Sequence, residues 1–319
     1  MPKNNPINAV FCIFLAVCIV FLIVAPFVLL PKVNSINQLN ALQRNGVFLE
    51  LWEIDTFEGG TNSRAKFLEK AAIQYQKKNN GIYIIVHNIT LEQCVTMLGE
   101  DRVPDLISFG IGAGDVVCAY TQKLNVSNNI RKSLLNAGQV AGVQYAMPWC
   151  MGGYVVCAKT VSPSTYGVGM EYNVAPQISA YTLKKYKSQY EAYKAFCNNE
   201  VDALLGTQRD YYRLTNKLNL GVISQCEFKY NNEYSDLVQY LSITTTNDKF
   251  LLYAQDFLEY IIGQQVQEKL KDIGMFSVVN KPIYTNTPCA DFELNVMSVN
   301  DVLNVFSSNE RITKLQTNL

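Results

Sequence analysis

The chain has 319 residues, of which 27 are basic, 27 are acidic and one is histidine, so its formal net charge at pH 7 is zero. A balanced charge without a basic cluster excludes the electrostatic footprint of a nucleic-acid-binding protein. The length beyond the N-terminal segment is sufficient for two lobes of ordinary size.

The N-terminal segment is a candidate membrane anchor. Ala9 to Leu30 is an unbroken apolar stretch of 22 residues without a charge. At about 1.5 Å per residue it can cross a hydrocarbon core of about 30 Å. Ala25 could precede a cleavage site, but Pro26 follows it directly, and Cys18 lacks the preceding small residue of a lipoprotein signal. We therefore predict an uncleaved, single-pass anchor in the cell membrane, with the globular domain outside the cytoplasm.

The run from Trp52 to Arg64 joins an apolar strand, a polar turn and the start of a helix. Val47 to Trp52 predicts the strand, and Ser63 predicts the first residue of the helix. The apolar face of this helix recurs at Phe67, Leu68, Ala71, Ala72 and Tyr75. Strand, turn and helix in this order are typical of α/β proteins.

The turn in this run is the first candidate ligand site. It lies where open α/β sheets place ligands, at the carboxyl end of a strand and beside the free N–H groups of a helix. Asp55, Glu58 and Arg64 can hydrogen-bond the hydroxyl groups of a guest, and the neighbouring glycines allow close approach of the backbone. The predicted contacts are Asp55, Glu58, Gly59, Gly60, Thr61 and Arg64. An ordinary capped turn between strand and helix is the alternative.

A second glycine-rich loop follows a later strand. The sequence predicts a strand at Ile82 to Val86, a short helix at Leu91 to Leu98 and another strand at Asp105 to Gly110. As a phosphate cradle the loop after this strand is weak, because no Lys-Ser/Thr pair follows it. It fits a binding cleft at the edge of a sheet better, so we predict ligand contacts at Gly110 and Gly112.

The stretch around Trp149 combines aromatic residues with bare backbone. Pro148 indicates the start or edge of a strand, and Gly152 and Gly153 stand between Trp149 and Tyr154. An exposed ring beside glycines suits the flat face of a sugar, and burial in the core is the alternative for both rings. We predict ligand contacts at Trp149, Gly152, Gly153 and Tyr154, with Trp149 as a stacking platform.

A later turn repeats the pattern of the first one. Ser188 and Glu191 form a capping box for a helix, and Val201 to Leu205 predicts a short strand after it. The turn that follows leads into a helix through Arg209 and Asp210. We predict that these two residues close on the ligand from the other lobe; a structural pair between them is the alternative.

The cysteines do not suggest a metal or redox site. Two of the nine lie in the anchor, and the other seven have no C-x-x-C spacing. A disulfide framework is uncommon in so large a domain, so we predict free thiols that pack as small hydrophobic groups, with no metal and no cofactor. The seven are Cys94, Cys118, Cys150, Cys157, Cys197, Cys226 and Cys289.

Five segments carry a resemblance to a known family. They are WEIDTFEGGTNSR, PDLISFG, MPWCMGGYVV, AFCNNEVDALLGTQRDYYRL and FLEYIIGQQVQEKLKDIGMFSV. In this order they resemble the extracellular solute-binding proteins of bacterial ABC importers, in the carbohydrate-binding branch that includes maltose-binding protein. The resemblance extends from Gly46 to about Asn280 and implies an α/β fold of the periplasmic-binding-protein type II-like kind, with two lobes that close around a ligand.

The resemblance also implies domain boundaries. With the anchor at 1–32 and the linker at 33–45 that the N-terminal residues indicate, the resemblance implies lobe 1 at 46–148 plus 240–275 and lobe 2 at 149–239 plus 276–319. The chain differs from the family in two ways: the segment after the first crossing is short, so we expect a short second lobe, and an anchor replaces the usual lipoprotein signal.

A binding function is expected rather than catalysis. His87 has no matching serine or cysteine elbow, and Asp55 and Glu58 are too close in one turn to flank a scissile bond from opposite faces. The resemblance implies a monomer that captures a small polar solute, with a carbohydrate as the expected class, and passes it to the permease subunits of an ABC importer. The alternative is a membrane-tethered sensor or interaction protein that uses the same fold without transport.

Overall fold

A computed structural model describes residues 46–126, 129–169, 182–285 and 287–308. The elements lie in the unit from Phe48 to Leu319, apart from the first residue of the first strand. The predicted anchor and linker fall outside the described residues. Within the described ranges, no helix combines the length and the apolar character needed to cross a membrane.

Strands and helices alternate in the first part of the described chain, and several strands follow one another in its middle part. The strands are β1 (Val47–Glu53), β2 (Ile82–Asn88), β3 (Leu106–Phe109), β4 (Gln139–Val140), β5 (Val143–Gln144), β6 (Met147–Met151), β7 (Tyr154–Ala158), β8 (Thr165–Gly169), β9 (Thr182–Tyr186), β10 (Ala203–Thr207), β11 (Glu227–Tyr230), β12 (Tyr234–Ser235), β13 (Val238–Ile243) and β14 (Asp301–Val302). The α-helices are α1 (Arg64–Lys78), α2 (Leu91–Gly99), α3 (Gly114–Val117), α4 (Lys132–Asn136), α5 (Gln189–Cys197), α6 (Gln208–Asn219), α7 (Asp248–Ile262), α8 (Gln264–Gln267) and α9 (Ala290–Met297). Two 3₁₀ segments add Cys118–Tyr120 and Glu268–Ile273.

The first sheet has five strands in the order β2-β1-β3-β13-β6. β1 and β3 are parallel, with Leu51 opposite Leu106, so both strands end at the same edge. β13 is antiparallel to β3 and to β6. The carboxyl ends of β1 and β3 therefore place the two loops predicted from the sequence next to each other.

The helix predicted after the first turn is present as α1. The Ser63 hydroxyl accepts the N–H group of Lys66 at 3.3 Å and caps its first turn. The whole predicted apolar face is buried, comprising Phe67, Leu68, Ala71, Ala72 and Tyr75. The period of 3.6 residues in the sequence thus gave both the helix and the face that packs.

The second sheet has the order β11-β7-β10-β8-β9. β7 is antiparallel to β10 and β11, whereas β8 is parallel to β10 and β9. Helix α5 packs against β8 and β10, and α6 packs against β10 and β7. β10 begins two residues later than predicted, because the Asp202 carboxylate accepts hydrogen bonds from Ser164 and Thr165 and holds Val201 and Asp202 in a turn.

The chain passes between the two five-stranded sheets at two places. β6 belongs to the first sheet through Met151, and β7 of the second sheet begins at Tyr154. The chain is back in the first sheet from Val238, slightly earlier than the expected return near Tyr240. Phe276 later forms an antiparallel bridge with Met151 of β6, and the strand that follows it, β14, pairs with β12 outside the two five-stranded sheets.

Arg131 joins the segments that meet at these passages. Its Nη1 donates to the Val296 carbonyl at 3.1 Å, and its Nη2 donates to the Ser277 carbonyl at 2.6 Å and contacts the Met151 sulfur. Burial lowers the pKa of Arg131 to about 10, with Glu293 opposing that effect, so the guanidinium is charged at neutral pH. A buried cation thus holds together residues far apart in the sequence through backbone acceptors.

The seven cysteines of the described residues are free thiols. Cys94, Cys150, Cys157 and Cys289 are buried, as expected for small hydrophobic groups, and the other three are half-buried. Desolvation raises the pKa of the Cys150 thiol well above its usual value of 9.0. Such a thiol is unreactive at neutral pH.

Candidate functional site

A polar groove of about 690 Å³ lies at the end of β1. Its lining combines the predicted turn with the last residue of β2 and one arginine from α6. The lining residues are Asp55, Thr56, Phe57, Glu58, Gly59, Thr61, Asn62, Ser63, Arg64, Asn88 and Arg209. Six predicted contacts therefore line one groove: Asp55, Glu58, Gly59, Thr61, Arg64 and Arg209.

Arg64 shapes the groove from the first turn of α1. Its Nε donates to Asp55 Oδ1 at 2.7 Å, and its Nη2 donates to the Phe57 carbonyl at 2.5 Å. The guanidinium also lies 4.1 Å from the centre of the Phe57 ring. The side chain is only 3% exposed, so Arg64 fixes the turn and neutralises Asp55 at the same time.

Four polar side chains form a cluster at the groove, here called the polar nest: Glu53, Thr56, Arg64 and Gln239. Each of them keeps one buried polar atom without a hydrogen-bond partner among the described residues, namely Glu53 Oε2, Thr56 Oγ1, Arg64 Nη1 and Gln239 Oε1. Such atoms are rare in native proteins and call for an explanation. Their concentration at one strand end marks this place as unlike the rest of the core.

Glu53 is the buried carboxyl of the polar nest. Its Oε1 accepts the Gln239 Nε2 group at 3.2 Å and lies 3.8 Å from Arg64 Nε. Burial raises the pKa of Glu53 to about 8, although the Arg64 charge opposes that rise. The carboxyl is therefore protonated at neutral pH, and the polar nest carries hydrogen-bonding groups with little net charge.

The start of α6 contacts the turn after β1 directly. Arg209 Nη1 lies 2.5 Å and Arg213 Nη2 lies 3.0 Å from the same Glu58 Oε1. Arg209 Nε also donates to the Gly60 carbonyl at 3.1 Å, and the Thr207 hydroxyl donates to the Glu58 carbonyl at 3.3 Å. We call Glu58, Arg209 and Arg213 the latch, because they join the turn after β1 to α6.

Asp210 does not face the groove, in contrast to the prediction. It is fully buried and belongs to the capping box of α6, where its Oδ2 accepts the Thr207 N–H at 3.2 Å and the Gln189 amide at 2.8 Å. Arg213 lies 3.4 Å from its other oxygen. Asp210 therefore has a structural role, but the alternative pair with Arg209 is not observed either, because Arg209 binds Glu58 and Asp210 pairs with Arg213.

The prediction that Trp149 is an exposed stacking platform is also wrong. Its side chain is fully buried, its ring stacks on Phe67 with centroids 5.6 Å apart, and its Nε1 donates to the Ser108 hydroxyl at 3.0 Å. Tyr154 is buried as well, and its hydroxyl donates to Asp236 at 2.7 Å. Both rings are core residues, so the expected stacking platform is not presented in this structure.

The glycines have unequal roles. Gly60 has a φ of 69°, and a Cβ there would lie 2.1 Å from the Ile273 carbonyl, so the turn requires glycine. Gly110 closes the polar nest, since a Cβ would lie 2.2 Å from Thr56 Oγ1. The remaining predicted glycines outside the groove lining are Gly112, with open space beside it, Gly152, which packs on Gln208, and Gly153, which packs on Phe292.

The sequence analysis missed residues of two kinds. Thr56, Phe57, Asn62 and Ser63 lie in the predicted turn and line the groove, and Asn88 ends β2, so position alone could have indicated them. Glu53 was hidden in the apolar strand, and Gln239 lies 186 residues further along the chain, so nothing local pointed to that pair.

The carboxylates of the groove are engaged by arginines. Arg64 binds Asp55, and both arginines of the latch bind Glu58. Within the described ranges, no three His, Cys, Asp or Glu residues are arranged to hold a metal ion. The arrangement is suited to hydrogen bonding with a guest, because its formal charges are already paired.

Comparisons with known proteins identify the fold. No family model matches the sequence, and no curated protein does. Among solved structures, the sugar-binding protein MalE of Xanthomonas citri matches with a TM-score of 0.63 and 12% identity, over 85% of this chain and 90% of that one. The GacH receptor of Streptomyces glaucescens matches with a TM-score of 0.62 and 10% identity, over 85% and 92%. The fold is that of type II periplasmic binding proteins.

The binding-protein fold confirms the resemblance seen in the sequence at the level of architecture. The same fold also holds iron-bound HitA of Pseudomonas aeruginosa, which matches with a TM-score of 0.56 and 13% identity over 85% of this chain and 99% of that one. Because proteins with this fold hold different ligands, the ligand class has to be argued from the groove itself.

Proposed function

We propose that this chain captures a small, neutral, hydroxyl-rich solute, with a carbohydrate as the class, in the groove at the end of β1. The polar nest carries the proposal. Leaving a buried polar atom without a partner costs about 1–3 kcal/mol, so a guest that supplies donors and acceptors there is favoured. Four such atoms lie together at the edge of the sheet where this fold places ligands.

The chemistry of the polar nest favours hydroxyl groups. Arg64 Nη1 can only donate, Gln239 Oε1 can only accept, and Thr56 Oγ1 can do both. A sugar hydroxyl both donates and accepts, so neighbouring hydroxyls can serve all three. The pairing of Asp55 with Arg64, and of Glu58 and Asp210 with the two latch arginines, leaves no surplus charge for an anion or a cation. The sugar-binding neighbour MalE supports the same class.

Delivery to an ABC permease is the second part of the proposal. The domain would work outside the cytoplasm as a monomer tethered by the predicted N-terminal anchor. Lobe 1 (46–148 plus 240–275) and lobe 2 (149–239 plus 276–319) would separate at the latch to admit the solute and close again over it. A permease would then distinguish the closed, loaded state from the open one, since the solute favours closure through its higher affinity for that state.

One observation favours a second candidate, a tethered sensor or interaction protein without transport. The latch joins the turn after β1 to α6 directly, with Glu58 bound by both Arg209 and Arg213. A fold that closes on itself can present one fixed surface to a partner. Neighbouring genes distinguish the candidates: permease genes accompany an importer, whereas their replacement by a sensor kinase gene accompanies the alternative.

The test is a thermal-shift screen of the purified full-length chain with neutral mono- and oligosaccharides. A ligand at one hundred times its dissociation constant stabilises the folded state by about 2.7 kcal/mol, which raises the Tm measurably. Thr56→Val removes one hydroxyl of the polar nest with little change in volume. We expect it to weaken sugar binding about 2- to 10-fold, the effect of one hydrogen bond.

Thr215→Val is the matched control, because Thr215 Oγ1 is also buried without a partner but lies on α6 outside the groove. Wild type and Thr215→Val are expected to respond equally to the sugar. A panel that moves the Tm of neither protein would reject carbohydrate capture. Equal responses of all three proteins would leave sugar binding in place but remove it from the polar nest.

A further inference from the structure

A second cavity, of about 360 Å³, lies on the other side of Asn62 and Ser63, between α1 and the segment from Val266 to Ile273. We call it the lysine pocket. Its lining residues are Asn62, Ser63, Lys66, Phe67, Lys70, Ala71, Gln74, Val266, Lys269, Asp272 and Ile273. Asn62 separates it from the groove, because the Asn62 side chain donates to the Asp272 carbonyl at 2.9 Å.

The floor of the lysine pocket is apolar and fixed. Phe67, Ala71, Val266 and Ile273 are each no more than 6% exposed, so they belong to the core and form a preorganised surface. Such a floor favours an apolar body of limited size. The ring of Phe67 stacks on the ring of Trp149, so the emission of Trp149 is expected to change when a ligand binds in the pocket.

The rim of the lysine pocket is positively charged. Lys66, Lys70 and Lys269 surround the floor, and Asp272 is the acidic residue of the lining. Lys269 Nζ donates to Gln74 Oε1 at 2.6 Å, and among the described residues none of the three lysines forms an ion pair. The groove, with its paired carboxylates and arginines, has no such surplus. The two cavities therefore select ligands of different charge.

We propose that the lysine pocket binds a small organic anion, with an apolar body on the Phe67 floor and a carboxylate or phosphate head held by the three lysines. The ammonium groups supply charge-assisted hydrogen bonds to the head. The apolar floor distinguishes such a ligand from an inorganic ion, which would leave the floor uncovered. This site is separate from carbohydrate capture and does not depend on it.

The test uses phenyl phosphate as the probe and the full-length chain. Calorimetry and tryptophan emission are followed as the probe is added, with inorganic phosphate and benzyl alcohol as probes for the head and the body alone. We expect saturable binding of phenyl phosphate at one site, at least about tenfold tighter than either partial probe. The affinity should fall as salt screens the lysines.

Variants locate the binding. Lys70→Ala combined with Lys269→Ala is expected to weaken phenyl phosphate binding by about tenfold or more, whereas Lys77→Ala, on α1 but outside the lining, should leave it unchanged. Ala71→Leu fills the cavity and should abolish binding; circular dichroism checks that it is folded. Equal affinity of wild type and the double lysine variant, or equal affinity for phenyl phosphate and inorganic phosphate, would overturn the proposal. So would the absence of saturable binding to wild type.

Discussion

The chain passes from strand to helix after β1, through a long turn, and after β10, which runs directly into α6. The two places differ in how their buried carboxyl groups are satisfied. Asp210 at the second turn has partners for both oxygens, from Gln189, Thr207 and Arg213. Glu53 at the first turn keeps one oxygen without a partner, as do three neighbours in the polar nest. Strand, turn and helix therefore do not by themselves make a binding site; unsatisfied polar atoms distinguish the first turn from the second.

The two carboxyl groups also differ in acidity. Burial raises the pKa of Asp210 to about 6 and that of Glu53 to about 8. Hydrogen bonds from Gln189 and the Thr207 N–H favour the charged form of Asp210 and limit its rise. At Glu53 the Arg64 charge and a hydrogen bond with Ser108 oppose desolvation, whereas the nearby Asp55 raises the pKa further. Asp210 is therefore ionised at neutral pH, whereas Glu53 keeps its proton.

The largest expected effect on stability comes from replacing Trp149, whose ring packs against Phe67 of α1. Trp149→Ala should lower the free energy of unfolding by about 3–5 kcal/mol, because it removes a fully buried ring and leaves a cavity. Urea unfolding of the full-length chain measures it. Trp149→Phe keeps most of the volume but loses the hydrogen bond to Ser108, so its loss should be smaller. A loss below about 1 kcal/mol for the alanine variant would contradict a core role.

Glu53→Gln tests whether Glu53 is protonated in the folded protein, through the pH dependence of the free energy of unfolding. The folded carboxyl keeps its proton up to about pH 8, while the unfolded one loses it near its ordinary value of 4.5. The folded state therefore binds more protons between these values, and the free energy of unfolding should fall as the pH rises through this window, by an amount on the order of 2–5 kcal/mol.

Glutamine at position 53 is neutral throughout and should remove that part of the pH dependence. Unfolding curves at several pH values between about 5 and 8 measure the slope. Glu69→Gln, an exposed carboxyl on α1, is the control and should retain the wild-type slope. An unchanged slope in Glu53→Gln would mean that Glu53 is already ionised in the folded protein.

Asp210→Asn tests the capping box of α6, in which both oxygens of Asp210 have partners. If the amide oxygen keeps the two hydrogen bonds that Oδ2 receives, the amide nitrogen faces Arg213 and that ion pair is lost, so we expect a loss of about 1–3 kcal/mol in the free energy of unfolding at pH 7. The control is Asp291→Asn, an exposed carboxylate in the first turn of α9. Sugar binding by Asp210→Asn should match wild type after correction for stability. A selective loss of sugar binding would return Asp210 to the ligand site.

The smallest effect is expected at the latch between the turn after β1 and α6. Its side chains are about 30% exposed, so solvent screens the pairs, and Glu58→Gln should cost only about 0.2–1 kcal/mol per lost pair. The cost should shrink at high salt. Arg102→Gln, which breaks an exposed pair with Glu50 outside the latch, is the control. A cost that does not change with salt would indicate that the latch is desolvated.

Local sequence patterns predicted the elements but not the partners. The cap at Ser63, the buried face of α1 and the glycine turn at Gly60 follow from rules that act within a few residues. The burial of Trp149 depends on Phe67 from another element, and the polar nest depends on Gln239 from β13. Such contacts are set by how distant segments pack, which periodicity along the chain does not contain.

The hydrogen bonds of Arg131 affect the order in which the parts of the protein can fold. Its guanidinium donates to carbonyl groups at Ser277 and Val296, which lie 146 and 165 residues further along the chain. A ribosome makes the N-terminal part first, so this cation must stay hydrated until almost the entire chain is available. We therefore expect truncation before Ser277 to leave an unfinished, slowly folding intermediate, with the passages between the sheets joined only in the last step.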